Sequence, residues 1–160
     1  MDSPDGNHAD AVGLGDGQAA LAKEVEDMES LALSDFRKWL DAYGAAWEKG
    51  DAAAAADLFS EDARYYETPF QEPMVGKEAI HSYWREGAGE SQRDVYFQYE
   101  DVAVSENKGL AQWRASFDRL PSGNHVELDG FLSAEFDDAG RCSVFREWWH
   151  RREHRRPAGS

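Results

Sequence analysis

The sequence predicts an α+β fold with its helices first and its sheet last. Up to about residue 85, apolar residues recur at three- and four-residue spacing; from Asp94 they alternate in twos over four stretches. Short turns separate those stretches, so consecutive strands should pair antiparallel as a meander or curved sheet, with three helices packed on one face.

The first helix starts at Ser34, a good N-cap, with Asp35 in its first turn. Phe36, Trp39, Leu40, Tyr43, Ala46 and Trp47 give it one apolar face, and Gly50 ends it. Asp51 caps a second, alanine-rich helix running to Leu58 and Phe59. A strand follows from Ala63 to Thr68 and stops at Pro69, which has no N–H to donate to a ladder. Gly76 precedes a third helix with Ala79, Ile80, Tyr83 and Trp84 as its buried stripe, and Gly87 to Gln92 reads as a loop. The four later strands are Asp94–Val104, Gly109–Arg119, His125–Phe136 and Arg141–His150.

The chain therefore divides into three parts. Residues 1–33 are an acidic leader, disordered or loosely docked, with eight acids against one lysine and some helical character from Ala19 on (Leu21, Val25, Met28). Residues 34–150 form the domain, and 151–160 a basic, disordered tail. The 160 residues, 41% hydrophobic with six Trp, six Tyr and eight Phe, suffice for one bulky aromatic core. A net charge of −15 argues against nucleic acid as a partner, because phosphate binding needs a basic stripe. No apolar run is long enough for a membrane helix, and the lone Cys142 offers no internal disulfide, so a cytoplasmic location is the expectation.

The chemistry concentrates at Tyr65–Gly76. Alternation puts Tyr65 and Glu67 on one strand face, and a carboxylate beside a phenol in a concave site is a usable acid/base pair. Desolvation there would raise the Glu67 pKa toward neutrality. The other possibility is a solvated glutamate, or one paired with Lys77 or Arg64. Tyr43 could donate to an oxyanion or simply belong to the core. Arg114 and Glu147, on strands that could lie side by side, could anchor a substrate or merely satisfy each other. Gly130 suggests a bulge that would turn Asp129 inward, although alternation with Val126 and Leu128 points Asp129 to solvent. No His or Cys pair has metal-ligand spacing, no glycine-rich loop cradles phosphate, and no Ser or Cys sits on a nucleophile elbow. No metal or cofactor is expected.

The order helix, helix, strand, helix, four strands resembles the nuclear transport factor two superfamily and its SnoaL-like group. The similarity spans residues 34–150. It rests on Tyr43 through Glu48-Lys49-Gly50-Asp51, Leu58-Phe59 with Asp62-Ala63, Gly76-Lys77-Glu78-Ala79-Ile80, and Gly140-Arg141 through Phe145-Arg146-Glu147-Trp148-Trp149. The resemblance implies a cone: a strongly curved, mostly antiparallel sheet wrapped around three N-terminal helices, with a central pocket. It also implies a homodimer paired through the outer sheet face.

In the ketosteroid isomerases of this superfamily, a helix tyrosine donates to an oxyanion and an acid ending the first strand is the base. Tyr43 and Glu67 fall on those positions, while Leu132 stands near a third, acidic one. In limonene epoxide hydrolases, Tyr65 and Glu67 fall on a water-holding pair, Arg114 on an arginine, Ser116 and Glu147 on two aspartates. The resemblance thus implies cofactor-independent isomerisation, cyclisation or dehydration of a small apolar, carbonyl-bearing or cyclic molecule, with Glu67 as base. The alternatives are an epoxide hydrolase or epoxide-opening cyclase using Tyr65, Glu67, Arg114 and Glu147, or a non-catalytic ligand-binding or dimerisation module. Trp47, Phe70, Tyr83, Trp84, Phe131, Phe145, Trp149 and Asp129 are the expected substrate contacts.

Overall fold

The computed structural model describes residues 15, 17–19 and 30–157. The helical character assigned to Leu21, Val25 and Met28, and any cover the leader gives the pocket, lie outside them. Helix α1 (Leu33–Lys49) buries Phe36, Trp39, Leu40, Tyr43, Gly44, Ala46 and Trp47. Its N-cap is Ala32, with no side-chain bond, so Ser34 lies inside the first turn rather than capping it. Gly50 ends α1 at φ 63°, and its N–H returns to the Ala46 and Trp47 carbonyls. Asp51 caps α2 (Ala52–Ala56), accepting from the Ala54 N–H at 3.0 Å.

Strand β1 (Phe59–Tyr66) starts earlier than its sequence suggests, and a two-residue strand β2 (Met74–Val75) precedes α3 (Lys77–Trp84). Where a loop was expected, a π-helix spans Arg85–Ser91 and continues α3. Such π-turns often mark functional sites. The sheet is completed by β3 (Gln92–Ser105), β4 (Lys108–Arg119), β5 (His125–Phe136) and β6 (Cys142–His154). β6 runs four residues past its predicted end.

The sheet corrects the cone-shaped expectation. It is an open, mixed, six-stranded sheet in the order β2-β1-β6-β5-β4-β3, and β1 and β6 run parallel. It is not a strongly curved wall wrapped around the helices. Curling a sheet needs bulges or glycine kinks in its central strands. Here β4 and β5 pair without a register shift from Lys108↔Glu135 to Asp118↔His125. The irregularities fall toward the ends of ladders and on edge strand β3, where Asp94 and Asp101 take φ of 53° and 52°. Bulges and charges on an edge strand also discourage pairing with other chains.

Gly130 is not a bulge either. It pairs in register with Trp113 on one side and Trp149 on the other. Glycine is required there because a Cβ would lie 2.0 Å from the Trp148 carbonyl oxygen and 2.8 Å from Trp149 Cα. Asp129 is consequently not re-aimed and stays exposed on the outer face.

The helices cover the inner face. Tyr43 packs on Trp39, Trp84, Phe97 and Phe145 with ring centroids 5.2 to 5.5 Å apart, tying α1 to α3, β3 and β6. Offset and edge-on contacts of this kind add roughly 1 kcal/mol per pair beyond burial.

Candidate active site

A cavity of about 310 Å³ opens between α1, α3, the π-helix and the inner sheet face. Its size suits a small molecule. The sheet lines it with inward-facing residues: Phe117 and Arg119 from β4, Leu128 from β5, and the alternating Glu147, Trp149 and Arg151 from β6. Tyr43 and Trp47 come from α1, Tyr83 and Trp84 from α3, and Gly87 and Ala88 from the π-helix.

Glu147 occupies the deep end, 6% exposed. Its Oε1 accepts from the Tyr43 hydroxyl at 3.0 Å and the Tyr65 hydroxyl at 3.4 Å, and the two phenol oxygens are 3.5 Å apart. Burial pushes its carboxyl up to about 8; the Tyr43 bond pulls it back and the charge of Glu67 pushes it further. The same burial and the Glu147 charge hold the Tyr43 and Tyr65 phenols well above their usual range, so both remain donors.

Glu67 reaches the cavity from the end of β1. The parallel register pairs Tyr65 with Phe145 and Tyr66 with Arg146, and continuing it brings Glu67 beside Glu147. The indole Nε1 of Trp149 donates to the Glu67 carbonyl at 3.1 Å and fixes the chain where the strand ends. Burial, then the charges of Glu147 and Glu67, hold the Tyr83 phenol well above its usual range. Two carboxyl groups close together in a partly buried site do not both ionise cheaply. The Glu67 charge therefore adds to burial in holding the proton on Glu147.

The structure brings together Tyr43, Tyr65, Glu67 and Glu147, with Trp47, Tyr83, Trp84 and Trp149 around them. The other predicted contacts lie elsewhere. Arg114 is outside the cavity: it projects from the opposite face of β4, where its Nε meets Asp129 Oδ2 at 3.0 Å. It is also separated from Glu147 by β5, so no Arg114–Glu147 pair exists. Phe131 (52% exposed) faces outward beside Trp148, its cross-strand partner. Phe70 is 99% exposed, because the Pro69 turn carries it away from the sheet. Phe145 is fully buried core beneath the cavity, its ring 4.6 Å from that of Tyr65.

Sequence reasoning missed Arg119 and Arg151, together with Gln92, at the far end of the cavity. The signal was present. Trp113, Ala115 and Phe117 alternate inward and lead to Arg119; Phe145, Glu147 and Trp149 lead to Arg151. Among the described residues, no three His, Cys, Asp or Glu side chains converge as a metal-ligand group.

A family model for the SnoaL-like domain matches residues 36–144. The chain belongs to the SnoaL-like family. Among solved structures, this SnoaL-like protein is similar to SalBIII, described as an epoxide hydrolase/cyclase-like enzyme with a role in pyran ring formation in the polyether salinomycin. The TM-score is 0.63 at 14% identity, over 71% of this chain and 89% of SalBIII. The likeness extends to the fold. No curated protein matches the sequence.

Proposed function

We propose that this SnoaL-like protein opens epoxides by paired acid/base catalysis, adding water or an internal hydroxyl of the substrate. The observation that carries the reading is Glu147, a buried carboxyl with a pKa raised to about 8 beside a second carboxylate. Both phenols donate to Oε1, which leaves Oε2 to hold the acidic proton. In the reaction, Glu147 gives this proton to the epoxide oxygen as the C–O bond breaks. Glu67 takes the proton from the attacking oxygen as the new C–O bond forms. Transfer of that proton back to Glu147 through solvent restores the site. Water gives a diol; an internal hydroxyl gives a cyclic ether and an alcohol. The resemblance to SalBIII favours this chemistry.

The isomerase reading, with Glu67 as sole base, leaves Glu147 without a task and is less well supported. Turnover of a panel of aryl and cycloalkyl epoxides separates the two. Epoxide opening requires Glu147→Gln and Glu67→Gln each to lower kcat by at least about 100-fold, the usual scale of acid/base catalysis. A Glu147→Gln enzyme within a few-fold of wild type rejects this assignment.

The exposed Phe131 and Trp148 form an apolar patch on the outer sheet face, which supports pairing of two copies there. Light scattering on wild type and Phe131→Glu tests it: a dimer that becomes a monomer is expected, and a wild-type monomer contradicts it.

A further inference from the structure

The two ends of the cavity differ in charge. Glu147 and Glu67 mark the deep end; Arg119 and Arg151 mark the other, with the aromatic and aliphatic wall of Trp113, Phe117, Leu128 and Trp149 between. Both guanidinium groups lean on one carboxylate. Arg119 Nε lies 3.4 Å from Glu153 Oε1, and Arg151 pairs with the Oε2 of the same residue. Two cations against one anion leave a unit of positive charge at this end. Arg119 is also unsatisfied: its Nε is buried and, despite the ion-pair distance to Glu153, has no hydrogen-bond partner among the described residues. The side chain as a whole is 39% exposed, so its guanidinium is accessible to a ligand carboxylate, to which it can donate. In a chain of net charge −15, an uncompensated positive end of a pocket is against the overall trend.

We propose that Arg119 and Arg151 form a carboxylate subsite, and that the substrates are amphipathic acids rather than wholly apolar molecules. A planar guanidinium matches a carboxylate in shape and donor geometry. The fold also sets a length. Glu147 and Arg151 lie four residues apart on the same face of β6, about 13 Å along the strand. The acid group of the substrate therefore sits on the order of 10 Å from the carbon that reacts. The position of that carbon rests on the epoxide-opening reading; the carboxylate subsite stands on the arginines alone.

Quenching of tryptophan fluorescence tests the subsite without turnover, since Trp47, Trp84, Trp113 and Trp149 line the cavity. The probes are octanoate and methyl octanoate at pH 7 and low salt, equal in chain but different in charge. Wild type is expected to bind octanoate at least 10-fold more tightly. Arg119→Gln/Arg151→Gln should lose that preference while still binding the ester, and Arg151→Lys should keep part of it. Glu153→Gln, which frees both guanidinium groups, should tighten octanoate binding several-fold and decides the matter if the double variant does not fold. Equal affinity for acid and ester in wild type, or a preference that survives the double variant, overturns the proposal. So does a Glu153→Gln protein with unchanged octanoate affinity. A failed epoxide assay with this preference intact would refute only the reaction.

Discussion

Glu147 Oε1 and the Tyr43 hydroxyl meet at 3.0 Å across 104 positions of sequence, joining the last strand to the first helix inside the cavity. The bond stabilises the charged form of Glu147 and opposes the larger effect of burial. Tyr43→Phe should therefore raise the Glu147 pKa above about 8. If Glu147 acts as the acid, the fall in kcat/KM at alkaline pH should move to higher pH in the variant. The lost buried bond should cost about 1 kcal/mol of stability. A pH–rate profile and urea unfolding check both parts.

The same carboxyl imposes a pH dependence on folding. In the unfolded chain it ionises near 4.5, whereas in the folded protein it holds its proton until about pH 8. Between those values the folded state binds more protons, so this group's contribution to stability falls as pH rises and levels off above 8. The loss is on the order of a few kcal/mol. Glu147→Gln should flatten that slope, measured as the difference in unfolding free energy between the two proteins from pH 5 to 9. Parallel curves would contradict it.

Arg114 gives the contrasting expectation. It pairs with Asp129 on the outer face, with both side chains about half exposed. Exposed pairs of this type contribute little. Arg114→Ala should change stability by less than about 1 kcal/mol and leave epoxide turnover within two-fold. A large loss of activity would place the chemistry on the wrong face of the sheet.

Much of this was legible in the sequence. Helix order, strand order and the shared face of Tyr65 and Glu67 follow from periodicity, which reports what a residue's own element buries. Arg114 was misplaced because matching it to an epoxide hydrolase arginine overrode the alternation of Trp113, Ala115 and Phe117, which points it outward. Phe131 was misplaced because an aromatic side chain suggests burial, although Val126, Leu132 and Ala134 occupy the inward parity. Around Glu147 the pattern is ambiguous, since Trp148 and Trp149 are both apolar and only one can face the cavity. The parallel β1–β6 pairing, which sets Glu67 beside Glu147, joins segments far apart in sequence and leaves no local signature. The open form of the sheet depends on where bulges fall, and no residue type near β4 or β5 declares that.

Whether Glu147 can act as the acid is read most simply from its own titration. Carbon-13 labelling of glutamate side chains, with Glu147→Gln to assign the signal, gives the pKa by NMR. A midpoint near 8 is expected, raised by burial of the carboxyl. A midpoint at or below about 4.5 would mean a solvated or ion-paired carboxylate, unable to deliver a proton at neutral pH, and would contradict the mechanism.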